Sequence, residues 1–428
     1  MTIINRLIQP EVNLIDRVAL YEPERFRLDN GIPVFQINAG TQDMVKVDFV
    51  FQAGSIFQEK LQVSKFTNKL LTEGTKNYSS VEIAEKIDYY GAFLEVSSDK
   101  DVAGVTLYTL NKYLEETLEM LQEVIRFPAF PEHELETYKQ NRKQQHIINS
   151  EKVKFVSRLK FNEMIFGSEH PYGRQFGLDD FEAINQEDLI SFHKSRYSSS
   201  DCRVIVAGKI PSELIPMLNK FFGTEEWNTN QNSKQLAEFK LVRGERILHV
   251  EKEDALQTAI RIGRPLFNKT HSEYLKLKVV NMVLGGYFGS RLMTNIREDK
   301  GYTYGIGSAV VSLHNSGYFF IASEVSGEVA QKAIDEVYHE IRILQEEKIP
   351  ESELRLVKNY MMGQMVRSMD GPFALSDNLK GLLEYDLDNS FFTDYINIVS
   401  TISAEDIRDL SQKYLKIDSL YELRVGAK

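Results

Sequence analysis

Apolar residues recur along the chain with two periods, and the periods come in blocks. The run Val45-Lys-Val-Asp-Phe49 alternates apolar and polar positions and continues through Val50 and Phe51, which predicts a β-strand with one buried face. Val105-Thr-Leu-Tyr-Thr-Leu110 and Tyr318-Phe-Phe-Ile-Ala-Ser-Glu-Val325 also read as strands. After each of these two, the apolar spacing changes to three and four residues. Leu114, Leu118, Leu121 and Ile125 follow the first, and Val329, Ala333, Val337 and Ile341 the second. That spacing predicts amphipathic helices. Ser79 with Glu82, Thr270 with Glu273, and Ser403 with Asp406 have N-cap spacing, and Pro350 suits a first helical turn. Strand runs followed by helix runs predict an α+β fold rather than strict βαβ alternation.

The pattern is written twice. Ile184-Asn-Gln-Glu-Asp188-Leu189 returns 218 residues later as Ile402-Ser-Ala-Glu-Asp406-Ile407. Each copy leads through a tyrosine, Tyr197 or Tyr414, to a terminal β-like run, Arg203–Gly208 or Tyr421–Gly426. Upstream, Pro131-Glu-His-Glu-Leu135 matches Pro350-Glu-Ser-Glu-Leu354. Three matches in register predict two homologous units, each an antiparallel-rich sheet packed with helices. The seam falls in the polar, Asn/Gln-rich run 223–238, a predicted linker between domains 1–222 and 239–428.

At 428 residues, with 42 % hydrophobic and 26 % charged positions, the chain has globular composition and room for two cores. A net charge of −11 with no clustered basic stretch argues against a nucleic-acid interface. No run approaches the roughly 18 apolar residues of a membrane span, and the amino terminus lacks a signal-peptide apolar core. The expectation is a soluble, cytoplasmic protein. Cys202 is the single cysteine, which excludes an intrachain disulfide and agrees with a reducing compartment. At a strand start with no neighbouring base, it reads as a packed thiol.

None of the eight histidines stands at helical ligand spacing from another. His133 is followed by Glu136 and then Thr137, and His339-Glu340 by Ile343. A local pair for a metal is therefore absent from the sequence. Gly54-Ser55 and Gly74-Thr75-Lys-Asn-Tyr-Ser79, however, resemble the insulysin, pitrilysin and mitochondrial processing peptidase family. Its active members carry H-x-x-E-H on a helix just ahead of the Gly-Thr pair, two histidines for zinc and a glutamate as general base. This chain has Lys65-Phe-Thr-Asn68-Lys69 there. The family's third ligand, a downstream glutamate, falls at or beside Gln145. An ammonium has only donors and offers no lone pair to a cation, and an amide is not a base. The resemblance thus implies no metal in this chain, with zinc carried by a partner subunit. Taken alone, Lys65 and Lys69 read as a solvated helix face, and His170 in His-Pro-Tyr-Gly-Arg174 as a structural loop.

The second half holds the fuller resemblance. Gly285-Gly-Tyr-Phe-Gly-Ser-Arg-Leu292 continues to Asn295-Ile-Arg297 and Gly301-Tyr-Thr-Tyr304. In the family, an arginine followed seven residues later by a tyrosine comes from the zinc-free half and reaches the substrate backbone. Arg297 and Tyr304 have that spacing. A peptide carbonyl under attack develops negative charge on oxygen, and preorganised donors stabilise it. Without the family, Arg297 is a cation near a helix end stopped by Gly301, and Tyr304 opens a strand. The glycine run lacks the lysine and Ser/Thr of a P-loop. Peptides add as a strand near Ala92–Asp99 in the family, where Glu95-Val-Ser-Ser98 replaces the usual Asn-Ala-x-Thr. The resemblance implies the Arg/Tyr-contributing subunit of a heterodimeric zinc peptidase acting on peptides. A structural core subunit and a peptide-binding homodimer are the alternatives.

Overall fold

A computed structural model describes residues 20–229 and 244–427. The predicted linker from residue 230 onward lies outside the described residues. Among the described residues, eleven strands form two sheets. The first contains β1 (Glu24–Arg27), β2 (Pro33–Asn38), β3 (Met44–Phe51), β4 (Phe93–Ser98), β5 (Ala103–Leu110) and β6 (Cys202–Gly208), in the order β1-β2-β6-β3-β5-β4. The second contains β7 (Ile247–Glu251), β8 (Gln257–Leu266), β9 (Thr303–Leu313), β10 (Ser316–Ser326) and β11 (Tyr421–Gly426), in the order β7-β11-β8-β10-β9. Apart from the extra edge strand β1, the two orders are the same. In each sheet one pair is parallel, β2 with β6 and β7 with β11, and all other pairs are antiparallel. The repeat seen in sequence is a repeat of topology.

The predicted helices form where apolar stripes call for them. Leu114–Arg126 buries Leu114, Leu118, Leu121 and Ile125, and Ala330–Glu346 buries Ala333, Val337 and Ile341. Ser79 and Ser403 cap their helices through reciprocal bonds with Glu82 and Asp406. The Thr270–Glu273 cap does not form. Thr270 bonds instead to Asn268, and the Glu273 carboxylate is taken by Lys413 and Tyr414, distant in sequence but near in space. Pro350 stands one residue earlier than expected, at the N-cap, with an extended ψ of 143° and its carbonyl accepting from the Leu354 N–H. Among the described residues no helix is long and apolar enough to cross a membrane.

One face of each sheet packs against helices of its own half, and the far side is covered as well, by a helix from the other half. Pro372–Leu383 lies on the first sheet, where Leu379 meets Ile37, Val50, Ile205 and Ala207. Val153–Phe166 lies on the second, where Phe161, Ile165 and Phe166 meet Leu423 and Val425. The two helices occupy equivalent places in the repeat, so the exchange is reciprocal and ties the halves together through two apolar interfaces. Cys202 is a packed thiol, fully buried, with burial raising its pKa.

One buried histidine makes this core sensitive to acid. His193 stacks on Tyr197 at 5.2 Å and its Nε2–H donates to the Ile125 carbonyl at 2.8 Å. Desolvation drives its pKa down to about 4, with the Ile125 carbonyl opposing that shift. Such a histidine is neutral when folded and binds a proton more readily when unfolded. The resulting penalty is absent above the unfolded value near 6.5, grows as pH falls, and saturates below the folded value. The expected loss between pH 7 and pH 4 is about 3 kcal/mol. Urea unfolding of His193→Phe should show a shallower acid limb than the parent chain, and parallel limbs would refute the assignment.

Candidate functional site

The helix Val63–Leu70 carries Lys65, Asn68 and Lys69. Phe66, Thr67 and Leu70 face inward with Val63, while Lys65 and Lys69 face outward. Lys69 pairs with Glu73 at 2.6 Å, one turn on, as a solvated helix face would. Lys65 is different. Its pKa is lowered first by desolvation and then by the charges of Arg142 and Arg158. Those arginines come from Glu132–Ser150 and Val153–Phe166. Nothing local in sequence links them to Lys65.

Asn68 is a buried strut. Its Nδ2 donates to the Gly104 carbonyl of β5 at 3.3 Å and to the Tyr197 hydroxyl at 3.1 Å. Tyr197 is fully buried, and desolvation raises its pKa. The amide therefore ties the motif helix to the sheet and to the tyrosine that precedes β6. Asn68→Leu should leave the carbonyl and the hydroxyl without their partner and cost about 1–3 kcal/mol. Chemical denaturation would measure this, and a change below about 0.5 kcal/mol would remove the strut role.

Gln145 is exposed on Glu132–Ser150, its carboxamide oxygen accepting from Arg142 Nη1 at 2.7 Å. The adjacent His146 packs among Phe155, Phe176 and Phe181 at 5.3 to 5.8 Å, its pKa lowered by desolvation and then by Arg142. A divalent cation does not fit this donor set. Two ammonium groups, an amide engaged in the fold and a carboxamide bonded to arginine supply no carboxylate or imidazole ligand. Among the described residues no group of three or more His, Cys, Asp or Glu side chains comes together to hold a metal. His170 is structural as expected, its Nδ1 accepting from the Tyr172 N–H at 3.0 Å and its ring stacked on Phe166 at 5.3 Å.

In the second half, Arg297 lies in Met293–Asp299, a segment of wide helical turns ended by Gly301 at φ +64°. Its guanidinium sits 4.6 Å from the centre of the Phe288 ring, and its side chain is 34 % exposed. Phe288 is itself exposed. A cation over an aromatic face keeps its N–H edges free for a ligand. Tyr304 is the second residue of β9 and is 93 % exposed. It borders a shallow cleft of about 390 Å³ with Arg261, Lys154 and Glu324. Among the described residues no hydrogen bond joins Arg297 to Tyr304. Tyr304 is turned to solvent, while Arg297 Nη1 lies 4.0 Å from the carboxylate of its neighbour Glu298. The edge strand β4 (Phe93–Ser98) alternates exposed and half-buried residues and is hydrogen-bonded to one neighbour, β5.

Comparison with known proteins agrees with this layout. Residues 34–165 match the family model for insulinase, peptidase family M16, and residues 183–361 match that for the peptidase M16 inactive domain. A Bacillus subtilis protein named uncharacterized zinc protease YmxG is 23 % identical over 403 residues, 92 % of this chain and 96 % of that one. A Helicobacter pylori protein named non-peptidase homolog YmxG is 22 % identical over 402 residues, 91 % of this chain and 90 % of that one. The crystal structure of a peptidase M16 inactive domain from Pseudomonas fluorescens matches with a TM-score of 0.85 at 22 % identity, covering 95 % of this chain and 98 % of that one. This chain belongs to peptidase family M16, the insulinase family.

Proposed function

We propose that this chain is the zinc-free subunit of a heterodimeric zinc metallopeptidase, contributing Arg297 and Tyr304 to the cleavage of peptides or unfolded polypeptide segments. The observation that carries this reading is a contrast between the halves. In the first, Asn68 is bonded into the fold by Gly104 and Tyr197, and Lys69 pairs with Glu73. In the second, Tyr304 is 93 % exposed, and the part-exposed Arg297 guanidinium rests on the exposed Phe288 ring with Nη1 4.0 Å from the carboxylate of its neighbour Glu298. A cation and a hydroxyl held ready at a surface suit the stabilisation of an oxyanion formed in a partner's site. In this reading the metal and the general base reside on a homologous subunit with an intact H-x-x-E-H, and the pair works in the cytoplasm.

The test is co-purification of the chain with such a relative from the same genome, followed by a peptide cleavage assay. Each chain alone should be inactive and the mixture active. A partner that cleaves equally well alone, or a mixture that forms no complex, would refute the proposal and favour a scaffold or a peptide-binding homodimer.

A further inference from the structure

The reciprocal exchange of helices leaves a cleft of about 380 Å³ between the two halves. It is distinct from the degenerate motif and from the Arg297/Tyr304 surface, none of whose residues line it. Its floor is the outer face of the first sheet, including Val50 and Ile205, and its walls include Ile56, Phe57 and Leu383. The lining is therefore apolar at the bottom, as small-molecule sites generally are.

Arg196 is the unusual member. It is the last residue of the helix Gln186–Arg196, is only 8 % exposed, and lines the cleft. Its guanidinium lies 4.4 Å from the centre of the Phe57 ring. No hydrogen bond or ion pair between Arg196 and another described residue is present. Burial opposes its charge most strongly, with Asp201 and then Glu59 favouring it through space. A helix C-terminus favours a cation, but that does not explain a guanidinium buried against a cavity with its donors unengaged, since buried charges are normally paired.

The other charges of the cleft sort into two groups. Arg203 is already held by Asp386 and the Leu383 carbonyl, and Asp101 by the Tyr172 hydroxyl and the His314 N–H. Lys380, Asp201 and Glu384 also line the space, and no hydrogen bond to another described residue holds their side chains. Both signs thus face an apolar cavity of a size suited to two or three residues. That combination matches a zwitterion with an apolar body.

We propose that the cleft between the halves binds a short apolar peptide, with Arg196 receiving its terminal carboxylate, the apolar wall its side chains, and Asp201 or Glu384 its ammonium end. A guanidinium presents paired N–H groups that match a carboxylate, and the Phe57 ring fixes its plane. The site does not depend on the proposed catalytic role and would be present in a chain that never joins a peptidase.

The experiment is titration calorimetry of the full chain with the dipeptide Leu-Phe, its C-terminal amide and its N-acetyl form. Leu-Phe should bind with a Kd below about 1 mM and the amide about tenfold or more weakly. The N-acetyl form should lie between them. Arg196→Gln should weaken the free acid about tenfold and abolish discrimination against the amide. Gln52 is exposed and also lines the cleft, so Gln52→Trp should block binding while leaving the melting temperature unchanged. Should Arg196→Gln fail to fold, the acid-to-amide ratio and Gln52→Trp decide the matter. Equal binding of acid and amide, no saturable binding of Leu-Phe, or undiminished binding to Gln52→Trp would each overturn the proposal. None of these readouts involves cleavage, so failure here is separable from failure of the heterodimer proposal.

Discussion

In a reconstituted pair, Arg297→Ala and Tyr304→Phe are each expected to lower turnover about 10²- to 10³-fold, the usual effect of removing one preorganised donor from a developing oxyanion. Assembly and folding should be spared. Tyr304 is 93 % exposed and Arg297 contacts an exposed ring, so neither substitution removes core packing. Stability should change by no more than about 0.5 kcal/mol. The loss should fall on kcat as well as kcat/KM, because the charge that the donors meet exists only in the transition state. Arg297→Lys should recover little, since an ammonium does not reproduce the guanidinium's fork over Phe288. If the double variant retains full turnover in a complex of normal affinity, the assisting role is lost and the chain is a scaffold.

Asp48→Ala should destabilise the chain by about 3–5 kcal/mol, the cost of breaking a buried ion pair from one side. Lys46 and Asp48 are each about 2 % exposed and lie 3.0 Å apart on the outer face of β3. Asp48 also accepts from Thr106 of β5 and from Ser376 of the covering helix, while Lys46 also pairs with Asp377. The network therefore fastens Pro372–Leu383 to the first sheet. Removing Asp48 leaves a buried ammonium with Asp377, 66 % exposed, as its remaining carboxylate. Although burial is the largest single influence on Lys46 and lowers its pKa, the two carboxylates together raise it above the ordinary value of 10.5. The stabilisation is thus present in full below 10.5 and lost as pH rises through the folded value. Hydrogen exchange should report early opening of 372–383 in Asp48→Ala, together with a loss of alkaline sensitivity. Replacing the pair with Lys46→Met and Asp48→Leu together should restore most of the stability, as apolar substitutes for buried pairs do. A single-substitution cost below about 1 kcal/mol would mean that the network contributes little net energy.

Much of the fold is legible without coordinates because its signals are local or repeated. A stripe such as Leu114, Leu118, Leu121 and Ile125 needs one apolar surface to pack on, and a serine three residues ahead of a carboxylate caps a helix wherever it lies. The Thr270–Glu273 pair has the same spacing and fails, because Lys413 and Tyr414 reach Glu273 from the far end of the domain. Spacing records an opportunity for a bond, and competition for the same carboxylate decides whether it is made.

That Lys65, Asn68 and Lys69 offer a divalent ion no imidazole or carboxylate could be read directly, since it depends only on their atoms. The positive surroundings of Lys65 could not, because Arg142 and Arg158 arrive from two other helices. Nor could the cleft around Arg196, which has no existence until both halves are in place.

The alternation in Val45-Lys-Val-Asp-Phe49 marks the boundary between the two kinds of knowledge. By itself the sequence determined the two-unit repeat, the α+β class and the chemical unsuitability of the motif for a divalent ion, all properties of residue identity and periodicity. It placed Lys46 and Asp48 on the polar face of a strand, which ordinarily means solvent. Only the tertiary structure decided that this face is buried, because a helix more than 320 residues downstream folds back over it. Burial depends on which surfaces meet, and surfaces that meet across the chain leave no period in the sequence.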